Sequence, residues 1–185
     1  MTTDLDDEEL LTRAARHPAA FEPLVARHST ALHNYFARRA PAVADDLLAE
    51  LWLQAYATRR GFDPGRGPAR AWLFGVARNV LSAHWRRTAK ARPDLPGTAR
   101  HDDPWEAVDD RLDAAAVGPR LRDQLARLPS EERELLLLVA WEQLTPTEAA
   151  AVVGIPAGTA RSRLHRARNR MRAGAAPLKL TGDLA

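Results

Sequence analysis

The chain is 185 residues long, carries a formal net charge of +3 with a sequence pI of about 9.9, and contains no cysteine. Such a length holds one domain or two small ones, and the missing thiols exclude disulfide frameworks and thiolate metal sites. No apolar run approaches a membrane span and the opening MTTDLDDEEL is too acidic for a signal peptide, so a soluble, cytoplasmic protein is expected.

Nearly every apolar pattern has a helical period and none alternates convincingly as a strand would, so the expected fold is all-α. A short acidic helix over about Asp4–Arg16 comes first, then a longer one over about Ala19–Arg39 that Pro41 ends. A third covers about Val43 to Arg59, where Leu47, Leu51 and Ala55 form an apolar row. GFDPGRGP, with Gly or Pro at nearly every other position, reads as a loop that positions a fourth helix, ARAWLFGVARNVLSAHWRR. Leu73, Phe74, Val76 and Val80 give this helix a core side. Trp72, Asn79 and Arg86 recur every seven residues, as do Arg78 and Trp85, along another broad side. Trp72 is expected to be partly core and Trp85 more exposed. Rings beside bases suit single-stranded nucleic acid, because stacking contributes about 1–3 kcal/mol per base while the cations track the backbone.

From Thr88 to about Gly118 the pattern fades into prolines, glycines and clustered acids. That composition predicts a flexible linker with at most a short helix near Trp105–Ala116. Acids collect at Asp45–Glu50 and Asp102–Asp113, bases at Arg59–Arg92 and Arg161–Arg172, and this segregation suggests two basic surfaces for a polyanion. The linker acids are suited to masking those surfaces in the free chain.

The second domain opens with PRLRDQLARL and continues with PSEERELLLLVAWEQ, where Ser130 is the expected N-cap and Glu131 and Glu132 sit favourably against the helix dipole. In TPTEAAAVVG, Thr145 and Glu148 have capping-box spacing, Pro146 fits the first helical position and Gly154 the end. A tight turn then leads into GIPAGTARSRLHRARNRMR, six arginines and a histidine with no acid. Ala160, Leu164, Ala167 and Met171 form a narrow apolar stripe able to pack on Ala149, Val152 and Val153. Thr159, Arg161, Ser162, Arg163, His165 and Arg166 lie mostly off it, near the N-terminal end. Two helices joined so tightly make a helix-turn-helix, whose second helix presents its N-terminal donors to the major groove. A solvated basic face is the plain alternative. Against it, the segment holds no balancing acids, and like charges four residues apart cost about 0.2–0.5 kcal/mol per pair. A membrane-surface helix is disfavoured by a stripe of small residues without Trp or Phe.

The stretch RLPSEERELLLLVAWEQLTPTEAAAVVGIPAGTARSRLHRARNRMR closely resembles the C-terminal DNA-binding region of bacterial sigma factors of the sigma-70 family, within the extracytoplasmic-function group. FEPLVARHSTALHNYFARRAPAVADDLLAELWLQAY is similar to the first helices of that family's N-terminal region, with departures at Ala49, Leu51 and Trp52. Together the resemblance covers about Phe21–Arg87 and Arg120–Arg172. It implies region 2 over residues 1–87, a linker over 88–118, region 4 over 119–174 and a tail over 175–185. It further implies −35 contacts from Thr159, Arg161, Ser162, Arg163, His165 and Arg166, beside a surface that docks on the flap of the polymerase β subunit. For −10 recognition and strand opening it points to Trp72, Arg78, Asn79, His84, Trp85, Arg86 and Arg87. Asp45, Asp46 and Glu50 would dock on the clamp helices of the β′ subunit of core RNA polymerase. An anti-sigma factor clamping both domains is a further partner that the group allows, with promoter DNA as ligand, no cofactor and no membrane. As the alternative to masking basic surfaces in the free chain, the acids of Asp102–Asp113 would follow the exit channel.

Two other classes fit less well. A stand-alone helix-turn-helix regulator would leave the Asp45–Tyr56 helix and the Trp/Arg helix unexplained. An enzyme acting on nucleic acid lacks an H-x-x-x-H pair, a phosphate-binding Gly loop with its Lys, and a carboxylate cluster for two metals.

Overall fold

The computed structural model describes residues 5–91 and 119–175, and all of its regular elements are helical. The first domain contains α1 (Asp7–Ala14), α2 (Glu22–Ala37), α3 (Ala44–Thr58) and α4 (Ala69–Ala91). The second contains α5 (Pro119–Ala126), α6 (Ser130–Ala140), α7 (Pro146–Val153) and α8 (Ala157–Ala175). The expected short helix near Trp105–Ala116 and the acids Asp102–Asp113 lie outside the described residues, as does most of the tail.

In the first domain α2, α3 and α4 pack on one another around Leu24, Leu32, Tyr35, Phe36, Leu51 and Phe74, with Leu10 and Leu11 of α1 closing one side. The Leu47, Leu51 and Ala55 row is buried. Pro18 and Pro41 each open a 3-10 turn, so the long second helix of the sequence reading is a 3-10 turn followed by α2. Two side chains of α1 fix it in place. Asp7 accepts from Arg27 and His28 of α2, at 2.9 and 2.5 Å. Glu8 accepts from the Ala69 amide at 2.8 Å, satisfying an otherwise orphaned donor at the start of α4. The loop before α4 holds an Asp63 side chain that accepts from the Gly65 amide, and Gly67 at φ 146°, where only glycine is comfortable.

In the second domain the capping box is present in full. Thr145 accepts from the Glu148 amide, Glu148 accepts from the Thr145 amide, Pro146 is the first helical residue, and Gly154 ends α7 in the left-handed region at φ 78°. Ser130 is not an N-cap: Pro129 holds that position, Ser130 is already helical, and no side chain caps α6. Arg133, buried on α6, donates to the carbonyls of Leu125, Ala126 and Leu128. It thereby satisfies the end of α5, where carbonyls lack helical partners.

Candidate nucleic-acid interface

Ala160, Leu164 and Ala167 are buried and Met171 is half-buried, so the predicted stripe of α8 is its packed side. Against it lie α6 and α7. Arg161, Ser162, His165 and Arg166 are exposed, while Thr159 and Arg163 are half-buried. Arg168, Asn169 and Arg172 extend the exposed side, and sequence reasoning missed them although Arg168 lies seven residues from Arg161. Their neighbours are polar: Asn169 bonds the His165 ring at 3.0 Å, and Ser162 donates to the Thr159 carbonyl at 2.9 Å.

The acids missing from this segment come from α6. Arg163 pairs with Glu131 at 2.7 Å, and Arg166 and Arg170 both grip Glu132. One flank of the arginine helix is therefore neutralised from within the protein, which corrects the expectation of a wholly self-repelling face. The other flank, with Arg161, His165 and Arg172, opens to solvent.

On α4, Leu73, Phe74, Val76 and Val80 are buried as expected. Trp85 departs from expectation: it is only 7% exposed, with its ring 4.9 Å from that of His84. It follows Ala77 and Leu81 at intervals of four, so it continues their core row. Trp72 is half-buried edge-on to Phe62 of the preceding loop. Asn79, Arg86 and Arg87 are exposed, and His84 and Arg78 are half-buried.

Asp45 and Asp46 are exposed near the start of α3, with Asp45 3.2 Å from His33. Glu50, one turn on, holds Arg87 of α4 at 2.9 Å, so a docking candidate and a −10 candidate are paired with each other. Leu53 on the same helix is 74% exposed, a large apolar side chain in contact with water. Among the described residues no cluster of His, Asp or Glu could hold a metal, and no helix is long and apolar enough to cross a membrane.

The domains also touch, which two tethered modules do not require. Helix α4 packs on α7. Glu142, in the turn between α6 and α7, accepts from Arg38 and from Arg39 at the end of α2, the latter at 2.8 Å. Arg70 of α4 donates to the Glu142 carbonyl at 2.5 Å. Both guanidinium nitrogens that Arg78 offers to α6 go to Glu134. Arg39 and Glu142 are 0% and 4% exposed, so this cross-domain pair is fully removed from water.

Comparison with known proteins agrees with this architecture. The sigma-70 region 2 family matches residues 20–91 and the sigma-70 region 4 family matches residues 119–171. The chain is 38% identical over 141 residues to the extracytoplasmic-function sigma factor SigC of Mycobacterium tuberculosis, covering 75% of this chain and 74% of that one. It is 30% identical over 179 residues to the sigma factor RpoE of Cereibacter sphaeroides, covering 92% and 96%. Among solved structures, CnrH in complex with the cytosolic domain of CnrY superposes with a TM-score of 0.62 at 29% identity, over 90% of this chain and 95% of that one. An all-helical pair of regions 2 and 4, matched along nearly the whole chain, places this protein in the sigma-70 family as an extracytoplasmic-function sigma factor, a non-enzymatic RNA polymerase subunit that directs promoter-specific initiation.

Proposed function

We propose that α8 reads the −35 element while α4 and the loop before it take the −10 strand. The observation that carries this is the exposed row Arg161, Ser162 and His165 at the N-terminal half of the second helix of a helix-turn-helix, opposite the buried Ala160, Leu164 and Ala167. Long donors on that part of the helix reach base edges in the major groove. Arg163, Arg166 and Arg170, tied to α6, set the angle of the helix and offer their remaining N–H groups to phosphate. On α4, Asn79, Arg86 and Arg87 are the accessible polar groups, with Trp72 and Phe62 as the ring pair at the mouth of the loop. Trp85 supports this helix from the core.

Asp45, Asp46 and Glu50 are the polymerase-docking candidates, with the exposed Leu53 beside them for the clamp helices of β′. The exposed Glu50–Arg87 pair is worth under about 1 kcal/mol, so docking can release it at little cost. Region 4 would seat on the β flap, and the chain would work in the cytoplasm with the polymerase. An anti-sigma factor is the regulatory partner proposed, supported by the complex of the similar CnrH with the cytosolic domain of CnrY.

Replacing Arg161 by Ala tests the −35 assignment. A good guanidinium-to-base contact is worth about 1–3 kcal/mol, so promoter-dependent initiation should fall about tenfold or more while affinity for core polymerase holds. Unchanged initiation with unchanged core affinity would contradict it.

A further inference from the structure

The two acids that answer the arginine helix stand side by side in the first turn of α6, yet they are unlike each other. Glu131 is exposed and holds Arg163 at 2.7 Å. Glu132 is only 5% exposed, and both of its oxygens are taken: Oε1 accepts from Arg166 Nε at 3.1 Å, and Oε2 accepts from Arg170. The helix fixes where Glu132 stands. Its amide donates to the Pro129 carbonyl at 3.0 Å, and the first turn is where the helix dipole favours an anion. A carboxylate taken out of water is costly without partners, so this contact is held more firmly than a surface pair such as Glu131 with Arg163.

Helix geometry shows what that contact withholds. Arg166 stands one turn beyond Ser162, on the side of α8 opposite Ala160, Leu164 and Ala167, with His165 and Asn169 beside it. That is the side a helix-turn-helix offers to base edges. Arg170, a further turn along, lies round toward α6. Left to itself, a guanidinium at Arg166 would reach whichever guanine or phosphate came near. Instead its Nε is spent on Glu132, which draws the group back toward α6 and leaves the outward side to Ser162, His165 and Asn169. The side chains of Arg166 and Arg170 are still 54% and 50% exposed, so their other N–H groups can meet phosphate, but from a fixed place. Fixed phosphate contacts set register, whereas mobile cations add affinity for any duplex alike.

We infer that Glu132 is a positioning residue that sets how sharply α8 discriminates among upstream elements, by pinning Arg166 and Arg170 as phosphate anchors and keeping Arg166 off the base edges. The inference rests on the proposed reading of the −35 element by α8, and it adds a residue outside that helix on which the reading depends. Glu132 itself touches no DNA. Specificity is a difference between two affinities, so releasing the pin strengthens binding to every duplex and weakens the preference for the right one.

Two variants of the full chain, each assembled with bacterial core polymerase, test this. Glu132→Gln removes the charge. Glu132→Asp keeps it but is one methylene shorter, so it cannot span both arginines and separates positioning from net charge. The probes are a duplex carrying a promoter mapped by transcription in vitro and the same duplex with its upstream element scrambled. The ratio of the two affinities should fall about fivefold for Glu132→Asp and about tenfold for Glu132→Gln, mainly through tighter binding of the scrambled duplex. For Glu132→Gln the salt dependence on the scrambled duplex should also steepen, by about one phosphate contact. In a chain that already carries Arg166→Ala and Arg170→Ala, neither substitution should change the ratio further, because the effect runs through those two side chains. Thermal unfolding checks each fold, and the Asp variant carries the test if the Gln variant unfolds. An unchanged ratio in folded variants, or a fall that persists once both arginines are gone, would overturn the inference. A scrambled duplex that the unmodified holoenzyme binds as tightly as the promoter would instead overturn the −35 reading. The salt dependence then still decides the restraint, and an unchanged slope would overturn it.

Discussion

Asp7 ties the N-terminal helix to the body of the first domain, and its chemistry sets when that tie holds. Burial disfavours its charged form, but hydrogen bonds and charge from Arg27 and His28 outweigh burial and hold the carboxyl below its ordinary pKa. A group depressed on folding stabilises the fold above its unfolded pKa and loses that contribution as pH falls toward the folded value. Asp7→Asn should therefore lower stability by about 1 kcal/mol at neutral pH, a figure kept small because the site is partly exposed. Denaturant titrations of the two proteins should converge as the pH drops below about 4; a gap that is constant with pH would contradict the assignment. Single residues also mark how far sequence reasoning reaches. Trp85 lies seven residues from Arg78 and four from Leu81, so it belongs to a polar and to an apolar row, and only the folded packing decides that it is core. Glu131 and Glu132 were legible as dipole partners at the start of α6, yet their pairing with Arg163, Arg166 and Arg170 spans more than thirty residues and leaves no local trace.

At the scale of the element, local chemistry was readable where the rules are local. The Thr145–Glu148 box, Pro146 at the first position and Gly154 at the end are spaced by the helix itself, so α7 could be placed to the residue. Thr145→Ala removes the acceptor for the Glu148 amide and should cost about 1 kcal/mol, read as a lower thermal midpoint with promoter contacts intact. An unchanged midpoint would show that the box is ornamental. Ser130 failed for a physical reason: Pro129 is extended and already occupies the capping position, which pushes Ser130 into the helix. The arginine helix was assigned correctly as an element, because its four-three-four apolar spacing fixes which side is packed. What that spacing could not give was the division of its basic face into a flank held by α6 and a flank open to solvent.

The whole molecule is where sequence and structure differ most. Composition favours two modules on a tether, and family membership supplies their separate roles, but neither indicates that Arg38 and Arg39 bury Glu142 or that Arg78 holds Glu134. Contacts between residues more than fifty positions apart depend on shapes that exist only after each domain has folded. A tethered pair gains effective concentration from its linker, so few charge-assisted bonds are needed for the two domains to meet. Addressing of the polymerase, by both regions together, is the claim on which the rest depends. Its most direct measurement is transcription in vitro by purified bacterial core polymerase on fragmented genomic DNA, with start sites mapped by sequencing. Discrete start sites that appear only when this protein is added, and that share two upstream elements, are the predicted result. Identical start sites with and without it, together with no association with core, would contradict the account.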